Sequence, residues 1–318
     1  MTAHQLMVDF IAEKKALGCV YKTEAGVLDR FMRAYVPPPD GRVTLMKEYV
    51  LQNTRKLPHQ NINTVNRNAT AVNQFLKYVA LRGYEAYVIP TKAFPKEVRN
   101  FKARIFTEDE INRLLVAANS FANAKQCPLR GYQVPLLISI LINCGLRTAE
   151  LLNLRVRDVD LTENVFAIWE AKFKKDRYVP FSEVVAEQLE RYLCIVQPAK
   201  DDWLLTNPQT GTRFSHSYAY ANFREVLRRA GIPHCGYGPR LHDLRHTMAV
   251  RCLNNWVLSG VDVTSALPVL SRYLGHTGIF HTQKYLQLTA EMYPDITAKM
   301  ERQFGGIIPA WEGSDEDD

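Results

Sequence analysis

The sequence of 318 residues has no C-x-x-C pair and no apolar run that approaches the length of a membrane span. A spanning helix needs about 20 consecutive apolar residues. The first residues also lack the charged-then-apolar order of a secretory signal. The six cysteines are scattered, several of them in apolar helical stretches, which favours reduced thiols over disulfides. These absences predict a cytoplasmic protein without a membrane anchor.

Metal-ligand patterns and repeats are missing as well. A zinc site built from Cys194, His216, His234 and Cys235 would match no standard ligand spacing. No repeat with a period of about 20–50 residues occurs. The one biased tract is the tail at 312–318, which holds five acidic residues and is predicted to be disordered.

Positive charge is concentrated at the front of the chain. Residues 1–104 hold 17 Lys+Arg and 8 Asp+Glu, whereas the net charge of the whole chain is +7. A basic front half suits a polyanion such as nucleic acid, but many soluble proteins are equally basic without binding one. Charge alone leaves both interpretations open, and the length predicts two domains.

Residues 1–84 are predicted to form a helical bundle. Apolar residues recur there at helical spacing in four stretches, which are separated by a glycine, three prolines and a polar segment. Asn63 or Thr64 is expected to cap the last helix. Arg67 and Lys77 on that helix are candidates for DNA contact, and the alternative is that they only form a solvated face.

The segment 85–106 is predicted to be a linker between the two domains. Helical periodicity fades there, prolines interrupt it, and few acids occur among its basic residues. Such a segment can lie along a phosphate backbone. Its candidate DNA-binding residues are Lys92, Lys96, Arg99, Lys102 and Arg104.

A second domain is predicted over 107–311, opening with a capping box from Thr107 to Glu110. The apolar stretch 135–142 indicates a buried central helix. Arg147 then stands at the start of another helix, where backbone N–H groups favour an anion. Segments rich in β-formers on either side of a lysine-rich turn predict a hairpin. The fold class is therefore mainly α, with an α+β second domain that contains a small antiparallel sheet.

His242, Arg245 and His246 stand at i, i+3 and i+4, so a helix would present all three on one side. That side cannot face an apolar core unless its charges are matched, and an anionic ligand would match them. A surface cluster, or a buried cluster paired with acids, is the alternative for this motif taken alone.

In combination, the motifs of the second domain resemble the tyrosine recombinase, or phage integrase, family. The similarity extends from about Thr107 to Tyr285, while the bundle before it resembles the core-binding domain of the family in length and position only. In chain order the motifs are Gly145-Leu146-Arg147-Thr148-Ala149-Glu150-Leu151, a lysine in a hairpin turn, His242-x-x-Arg245-His246, Leu274-Gly275-His276 and Tyr285.

The resemblance implies an enzyme that cuts and rejoins DNA, with Tyr285 as the nucleophile that forms a 3′-phosphotyrosine. Arg147 and Arg245 would clamp the scissile phosphate, since a guanidinium gives two hydrogen bonds to phosphate and stays charged. His242 would take the tyrosine proton. His276 would hydrogen-bond the phosphate. No metal or other cofactor is implied.

The turn of the hairpin contains three lysines. The resemblance implies that one of them protonates the departing 5′ oxygen, and its offset from Arg177 favours Lys172. Lys174 and Lys175 are then candidates for contact with the DNA backbone.

Other assignments are supporting ones. Glu150 resembles an acidic residue of the family and would orient an active-site cation, and His246 would buttress the same site; plain structural pairing is the alternative for both. Residues 254–268 are expected to form a loop. The segment 296–304 could be a helix, and the apolar segment 307–311 would dock on a neighbouring subunit or fold back on its own domain.

The resemblance further implies a tetramer assembled on two DNA sites, exchange through a Holliday junction, and accessory DNA-bending proteins as further partners. The first helix begins almost at Met1, which favours a simple recombinase over one that uses distant arm sites. Two alternatives stay open: a type IB topoisomerase, which reseals the same strand, and a DNA-binding regulator without catalysis. The target sequence and the genetic element served are not specified by any residue pattern.

Overall fold

The structure is a computed structural model that describes residues 1–94, 103–123, 125–169, 176–207, 209–236, 238–276, 278 and 280–292. The chain divides into two compact units, Met1–Phe101 and Lys102–Asp318. Both units are mainly helical, and one three-stranded antiparallel sheet lies in the second, which confirms the predicted fold class. Among the helices in the described ranges, none has the length and apolar character needed to cross a membrane.

The first unit is a bundle of helices, and the four predicted helices are confirmed. Phe10 lies at the centre of its core, where the ring contacts those of Phe75 and Tyr78 at centroid distances of 5.7 and 5.0 Å. The elements in chain order are α1 (Ala3–Ala16), α2 (Lys22–Arg33), β1 (Thr44–Leu45), α3 (Lys47–Thr54), α4 (Ile62–Leu81) and β2 (Glu85–Ala86).

Helix α4 starts slightly earlier than predicted. Its cap is Asn61, whose side chain accepts a hydrogen bond from the backbone N–H of Asn63 at 2.9 Å. The prediction of Asn63 or Thr64 was therefore wrong, because an earlier asparagine already satisfies the first unpaired N–H groups of the helix.

Residues 85–94, which were predicted to begin the linker, fold onto the bundle. Strand β2 pairs in parallel with β1. The buried side chain of Asn73 on α4 binds both the N–H and the carbonyl of Ile89, at 2.7 and 3.0 Å. Because the bundle satisfies these backbone groups, this stretch belongs to the first unit.

The second unit is organised around α6, an apolar helix in which residues such as Leu137 and Ile140 are fully buried. The predicted central helix is confirmed, as is the capping box of Thr107 and Glu110 at the start of α5. The elements are α5 (Glu108–Asn119), α6 (Arg130–Cys144), α7 (Thr148–Leu152), β3 (Val159–Asp160), β4 (Val165–Ile168), β5 (Arg177–Pro180), α8 (Glu183–Val196), α9 (His216–Arg229), α10 (Leu241–Leu258), α11 (Val263–Leu274) and α12 (Phe280–Met292).

The predicted hairpin is confirmed by the pairing of β4 with β5. Val165 lies opposite Pro180, and Ile168 lies opposite Arg177. The register places Arg177 at the first position of β5, next to the turn that joins the strands. Residues 170–175 of that turn, and with them the three candidate lysines, lie outside the described residues.

The predicted loop over residues 254–268 was wrong. Helix α10 continues to Leu258, and α11 starts at Val263, so the connection is short. The Asp262 side chain accepts hydrogen bonds from the backbone N–H groups of Thr264 and Ser265, which fixes the start of α11 ahead of Pro268. Pro268 itself lies inside α11. The segments 296–304, 307–311 and 312–318 lie outside the described residues.

Candidate active site

Helix α10 carries three of the predicted residues, His242, Arg245 and His246, within its first two turns. The buried carboxylate of Asp243 accepts a hydrogen bond from the backbone N–H of Arg240 at 2.7 Å and so fixes the start of the helix. The helix packs against α6 and α12. The side chains in the first turns of α10 therefore lie between the end of α6 and the residues of α12.

The guanidinium of Arg245 is almost completely buried, with 1% of the residue exposed. It donates to the carbonyl of Gly145 at 2.8 Å and to the carbonyl of Leu274, and it lies 3.2 Å from Nε2 of His276. Burial lowers the pKa of Arg245 to about 10, and the charge of Arg147 adds to this effect. The group stays charged at neutral pH and joins three separate segments of the chain.

Arg147, at the start of α7, reaches the same end of α11 that Arg245 contacts. Its Nη2 donates to the carbonyl of Gly275 at 2.7 Å, next to the Leu274 carbonyl that binds Arg245. Its Nη1 donates to Oε1 of Glu150 at 2.6 Å, and its backbone N–H donates to Oε2 at 2.9 Å. The two arginines are thus brought together on adjacent carbonyls at the end of α11.

Glu150 has a second cationic partner, Arg177, which sequence reasoning used only as a marker for the lysine position. Arg177 donates to both carboxylate oxygens, at 3.0 and 2.8 Å, and its Nε donates to the carbonyl of Tyr273 at 2.9 Å. Both side chains are buried. Burial alone would raise the pKa of Glu150, but hydrogen bonds and charge from Arg177, with hydrogen bonds from Arg147, lower it to about 2.

Replacing Glu150 with glutamine is expected to remove a pH-dependent part of the stability. A carboxyl with a folded-state pKa near 2 and a free value of 4.5 stabilises the fold fully above pH 4.5 and loses that contribution as the pH falls towards 2. Wild type should exceed the variant in free energy of unfolding by about 3 kcal/mol at pH 7 and by about 2 kcal/mol near pH 3.5. Urea unfolding followed by circular dichroism measures this difference, and a difference that does not change with pH would contradict the assignment.

Gly275 provides the space in which Arg177 lies. Its φ is +65°, and a Cβ at this position would lie 2.8 Å from Nη1 of Arg177 and 3.0 Å from Cζ. The guanidinium cannot retreat without breaking its bonds to Glu150 and to the Tyr273 carbonyl. A side chain at 275 therefore disturbs the cluster as well as the backbone.

Gly275→Ala is expected to be more destabilising than Gly260→Ala. Gly260 has a similar φ of +74° and no heavy atom within 4 Å of an added Cβ, so this control carries only the backbone strain, about 1 kcal/mol. The collision with Arg177 should add at least about 1 kcal/mol for Gly275→Ala. Thermal unfolding of both variants tests this, and equal losses of stability would show that Arg177 moves aside freely.

Tyr285 is buried, with 4% of the residue exposed, and its ring stacks on His276 at a centroid distance of 6.1 Å and an angle of 18°. Its hydroxyl lies 3.0 Å from Nδ1 of His246. Nδ1 of His276 in turn lies 2.8 Å from Oγ1 of Thr282 on α12. Burial raises the pKa of Tyr285, although the charges of Arg245 and Arg147 oppose that shift. The hydroxyl is therefore protonated at neutral pH and needs an acceptor for its proton.

Two neutral imidazoles provide such an acceptor. Burial lowers the pKa of His246 to about 3, and the neighbouring His242 adds to the shift. The ring of His242 contacts that of His246 edge-on at 4.6 Å. His242 is exposed, and desolvation by the protein around its ring, together with the charges of Arg245 and Arg147, lowers its pKa to about 4. The family resemblance implied that His242 takes the tyrosine proton, whereas the ring at hydrogen-bond distance of the hydroxyl is that of His246. The i, i+4 spacing of the two histidines could not distinguish them.

The remaining predicted residues are exposed or lie outside the described part of the chain. Arg67, Lys77 and Lys92 are exposed, and Arg104 is exposed but paired with Glu110. In the part of the chain that the structure describes, no group of three or more His, Cys, Asp or Glu side chains is placed to hold a metal ion. The predicted residues outside the described ranges are Lys96, Arg99, Lys102, Lys172, Lys174 and Lys175.

Several known proteins are similar to this chain. The model of the phage integrase family matches residues 104–292. A Sinorhizobium fredii protein named as an integrase/recombinase, y4rE, is 30% identical over 87% of this chain and 89% of its own length. Tyrosine recombinase XerC of Lactobacillus delbrueckii subsp. bulgaricus is 28% identical over 76% of this chain and 77% of its own.

Two solved structures share the fold. The Tn1549 transposon integrase, in complex with transposon right end DNA, has a TM-score of 0.64 and 18% identity, with 95% of this chain and 99% of that chain covered. A lambda integrase dimer bound to a core site has a TM-score of 0.61 and 15% identity, with 88% and 96% covered. The family match extends over more than half of the chain, and the resemblance found in the motifs is confirmed: the chain belongs to the phage integrase family of tyrosine recombinases.

Proposed function

We propose that this protein is a site-specific DNA recombinase or integrase, which breaks and rejoins duplex DNA through a 3′-phosphotyrosine intermediate. The proposal rests on one observation: the hydroxyl of the buried Tyr285 lies 3.0 Å from the imidazole of His246, next to the buried Arg245. Cations, a proton acceptor and a nucleophile in one place are the groups that phosphoryl transfer without a bound metal requires.

In the proposed reaction, Oη of Tyr285 attacks the scissile phosphorus, a new P–O bond forms, and the bond to the 5′ oxygen breaks. Arg147 and Arg245 stabilise the added negative charge of the transition state, because a planar guanidinium can donate two hydrogen bonds to phosphate oxygens. His276, which lies against Arg245, hydrogen-bonds the phosphate. Lys172 protonates the departing 5′ oxygen. The phosphotyrosine bond conserves the energy of the cleaved bond, so rejoining needs no ATP.

The proton of Tyr285 passes to the pair of imidazoles on α10. Nδ1 of His246, which lies 3.0 Å from the hydroxyl, accepts the proton as the new P–O bond forms, and His242, in ring contact with His246, packs that ring in place. Both rings are neutral at pH 7 before DNA binds. The negative phosphate raises their proton affinity when it enters the site, which favours the transfer at the moment of attack.

Duplex DNA is the proposed partner, held by the bundle of residues 1–84 as a core-binding domain, by the basic linker and by the lysines of the hairpin turn. The Tn1549 and lambda integrases that share this fold were solved on DNA, which supports that partner. We further propose a tetramer on two DNA sites, exchange through a Holliday junction, and accessory DNA-bending proteins. Action on DNA and six unpaired cysteines favour a cytoplasmic location.

A covalent trapping assay tests the function. The protein is used to select duplexes from a random-sequence library by binding, and the selected duplexes are nicked near their centres so that cleavage releases a short strand and religation fails. A protein band shifted by attached DNA on a denaturing gel is the expected result. Binding without any covalent band would instead support a DNA-binding regulator without catalysis.

A plasmid assay separates recombination from topoisomerase activity. A recombinase is expected to join two DNA molecules that carry the selected site. Relaxation of supercoiled plasmid that lacks this site, with no joined product, would instead indicate a type IB topoisomerase, because that enzyme reseals the strand it has cut.

A further inference from the structure

One carboxylate in this site is shared between two guanidinium groups, that of Arg177, which is buried, and that of Arg147, whose side chain is 21% exposed. Glu150 accepts from Arg147 through Oε1 and from Arg177 through both oxygens. With all three groups ionised, two positive charges meet one negative charge, so the cluster as a whole carries a net charge of +1. The side chains of Glu150 and Arg177 are only 7% and 8% exposed, so solvent screens this charge poorly.

We propose that Arg177 is a positioning residue that sets the charge of the DNA cleavage site. It shares Glu150 with Arg147, so that Arg147 is held in place without its positive charge being cancelled. The inference rests on the proposed function, since it concerns the phosphate that Arg147 would bind.

Arg177 acts through Glu150 rather than by touching DNA. Its Nη1 and Nη2 both donate to the carboxylate, and its Nε donates to the carbonyl of Tyr273. The flat face of the guanidinium lies against Gly275. Glu150 thereby keeps its two acceptor oxygens oriented towards Arg147, whose backbone and side chain it binds at 2.9 and 2.6 Å.

Without Arg177, the carboxylate would neutralise Arg147 completely. A pair of one cation and one anion has no net charge, so its electric field at a neighbouring phosphate is weaker and falls off more steeply with distance than that of a net positive charge. The transition state for cleavage of a phosphodiester carries two negative charges on its non-bridging oxygens, so it depends strongly on the +1 charge of the cluster. Loss of Arg177 is therefore expected to slow cleavage even where the fold is intact.

The charge of the scissile phosphate can be varied to distinguish this role from a purely structural one. Replacing one non-bridging oxygen by methyl gives a methylphosphonate, whose transition state carries one negative charge instead of two. Nicked duplexes with either group at the cleavage position are mixed with the full-length protein in excess, and the rate of covalent adduct formation is measured. The ratio of the methylphosphonate rate to the phosphate rate reports the charge of the site, because a general loss of structure lowers both rates equally.

Arg177→Met gives a cluster of no net charge. We expect it to slow cleavage by about 100-fold on phosphate and about tenfold on methylphosphonate, so that the ratio rises about tenfold. Arg177→Lys keeps the charge and should hold the ratio within about threefold of wild type. The double variant Arg177→Met with Glu150→Gln carries +1 again, and it should restore the wild-type ratio even if both rates are low. Should Arg177→Met not fold, Arg177→Gln, which is neutral but still donates a hydrogen bond, replaces it.

An unchanged ratio in the folded neutral variant would overturn the proposal, whether or not both rates fall, as would a ratio in the double variant that stays as high as in the single one. Arg228→Met is the matched control, since Arg228 is an exposed arginine on α9 paired with Glu225, and it should leave the ratio unchanged. Circular dichroism melting and a gel-shift assay establish folding and DNA binding. If wild type forms no adduct, the proposed function fails; if wild type forms one and the ratio does not respond, only this inference fails.

Discussion

Tyr285→Phe is expected to abolish covalent attachment of the protein to DNA while leaving DNA binding at the wild-type affinity. The substitution removes only the hydroxyl, so the ring can still stack on His276 and fill its buried site on α12. No other atom would remain at the position of the nucleophile, and adduct formation should fall by at least about 10⁴-fold. The lost hydrogen bond to His246 should cost about 1 kcal/mol of stability.

Tyr220→Phe is the matched control for this variant. Its hydroxyl also lies against a histidine ring, at 2.8 Å from Nε2 of His234, so it loses the same type of bond without affecting the cluster around Arg245. It should form the adduct at the wild-type rate. The covalent trapping assay and a gel shift on the same duplex give both readouts. An adduct that persists in Tyr285→Phe would mean that another side chain is the nucleophile.

Much of the site could be predicted because it depends on local spacing. His242, Arg245 and His246 face one way on any helix that contains them, and the sequence predicted that helix. The start of α7 could likewise be placed from the glycine before it, which put Arg147 at a helix N-terminus. These features need only the periodicity and the capping preferences of a single element.

The bonds between elements could not be predicted in the same way. Arg177 binds Glu150 and the Tyr273 carbonyl, which lie on α7 and α11, and nothing in the spacing of these residues along the chain indicates that they meet. The choice between His242 and His246 as the contact of Tyr285 depends on how α12 packs on α10. The loop expected over 254–268 followed from the length of the stretch between Arg245 and His276, and length alone does not show whether the extra residues are helical. The Asp262 cap and the apolar face of α11 determine the helix.

Arg245→Lys is expected to lose most of the cleavage activity although it keeps the positive charge. The guanidinium of Arg245 spans the carbonyls of Gly145 and Leu274 and still lies against His276. A lysine ammonium is a single point with a flexible stem, so it cannot bond both carbonyls and present two parallel donors to a phosphate. Adduct formation should fall by about 1,000-fold, and the free energy of unfolding by about 2 kcal/mol, because one buried carbonyl loses its donor.

Arg113→Lys is the control for this substitution. Arg113 also donates to a carbonyl, that of Ala230 at 2.7 Å, and pairs with Asp109, but 43% of its side chain is exposed. Water can replace the lost bonds there, so the change should cost less than about 1 kcal/mol and leave cleavage unaffected. Arg245→Met, which also removes the charge, separates the effect of the positive charge from the effect of the guanidinium geometry at the buried position. If Arg245→Lys cleaves at nearly the wild-type rate and only Arg245→Met fails, then charge alone is needed at this position, and the two-donor contact with the phosphate is not part of the mechanism.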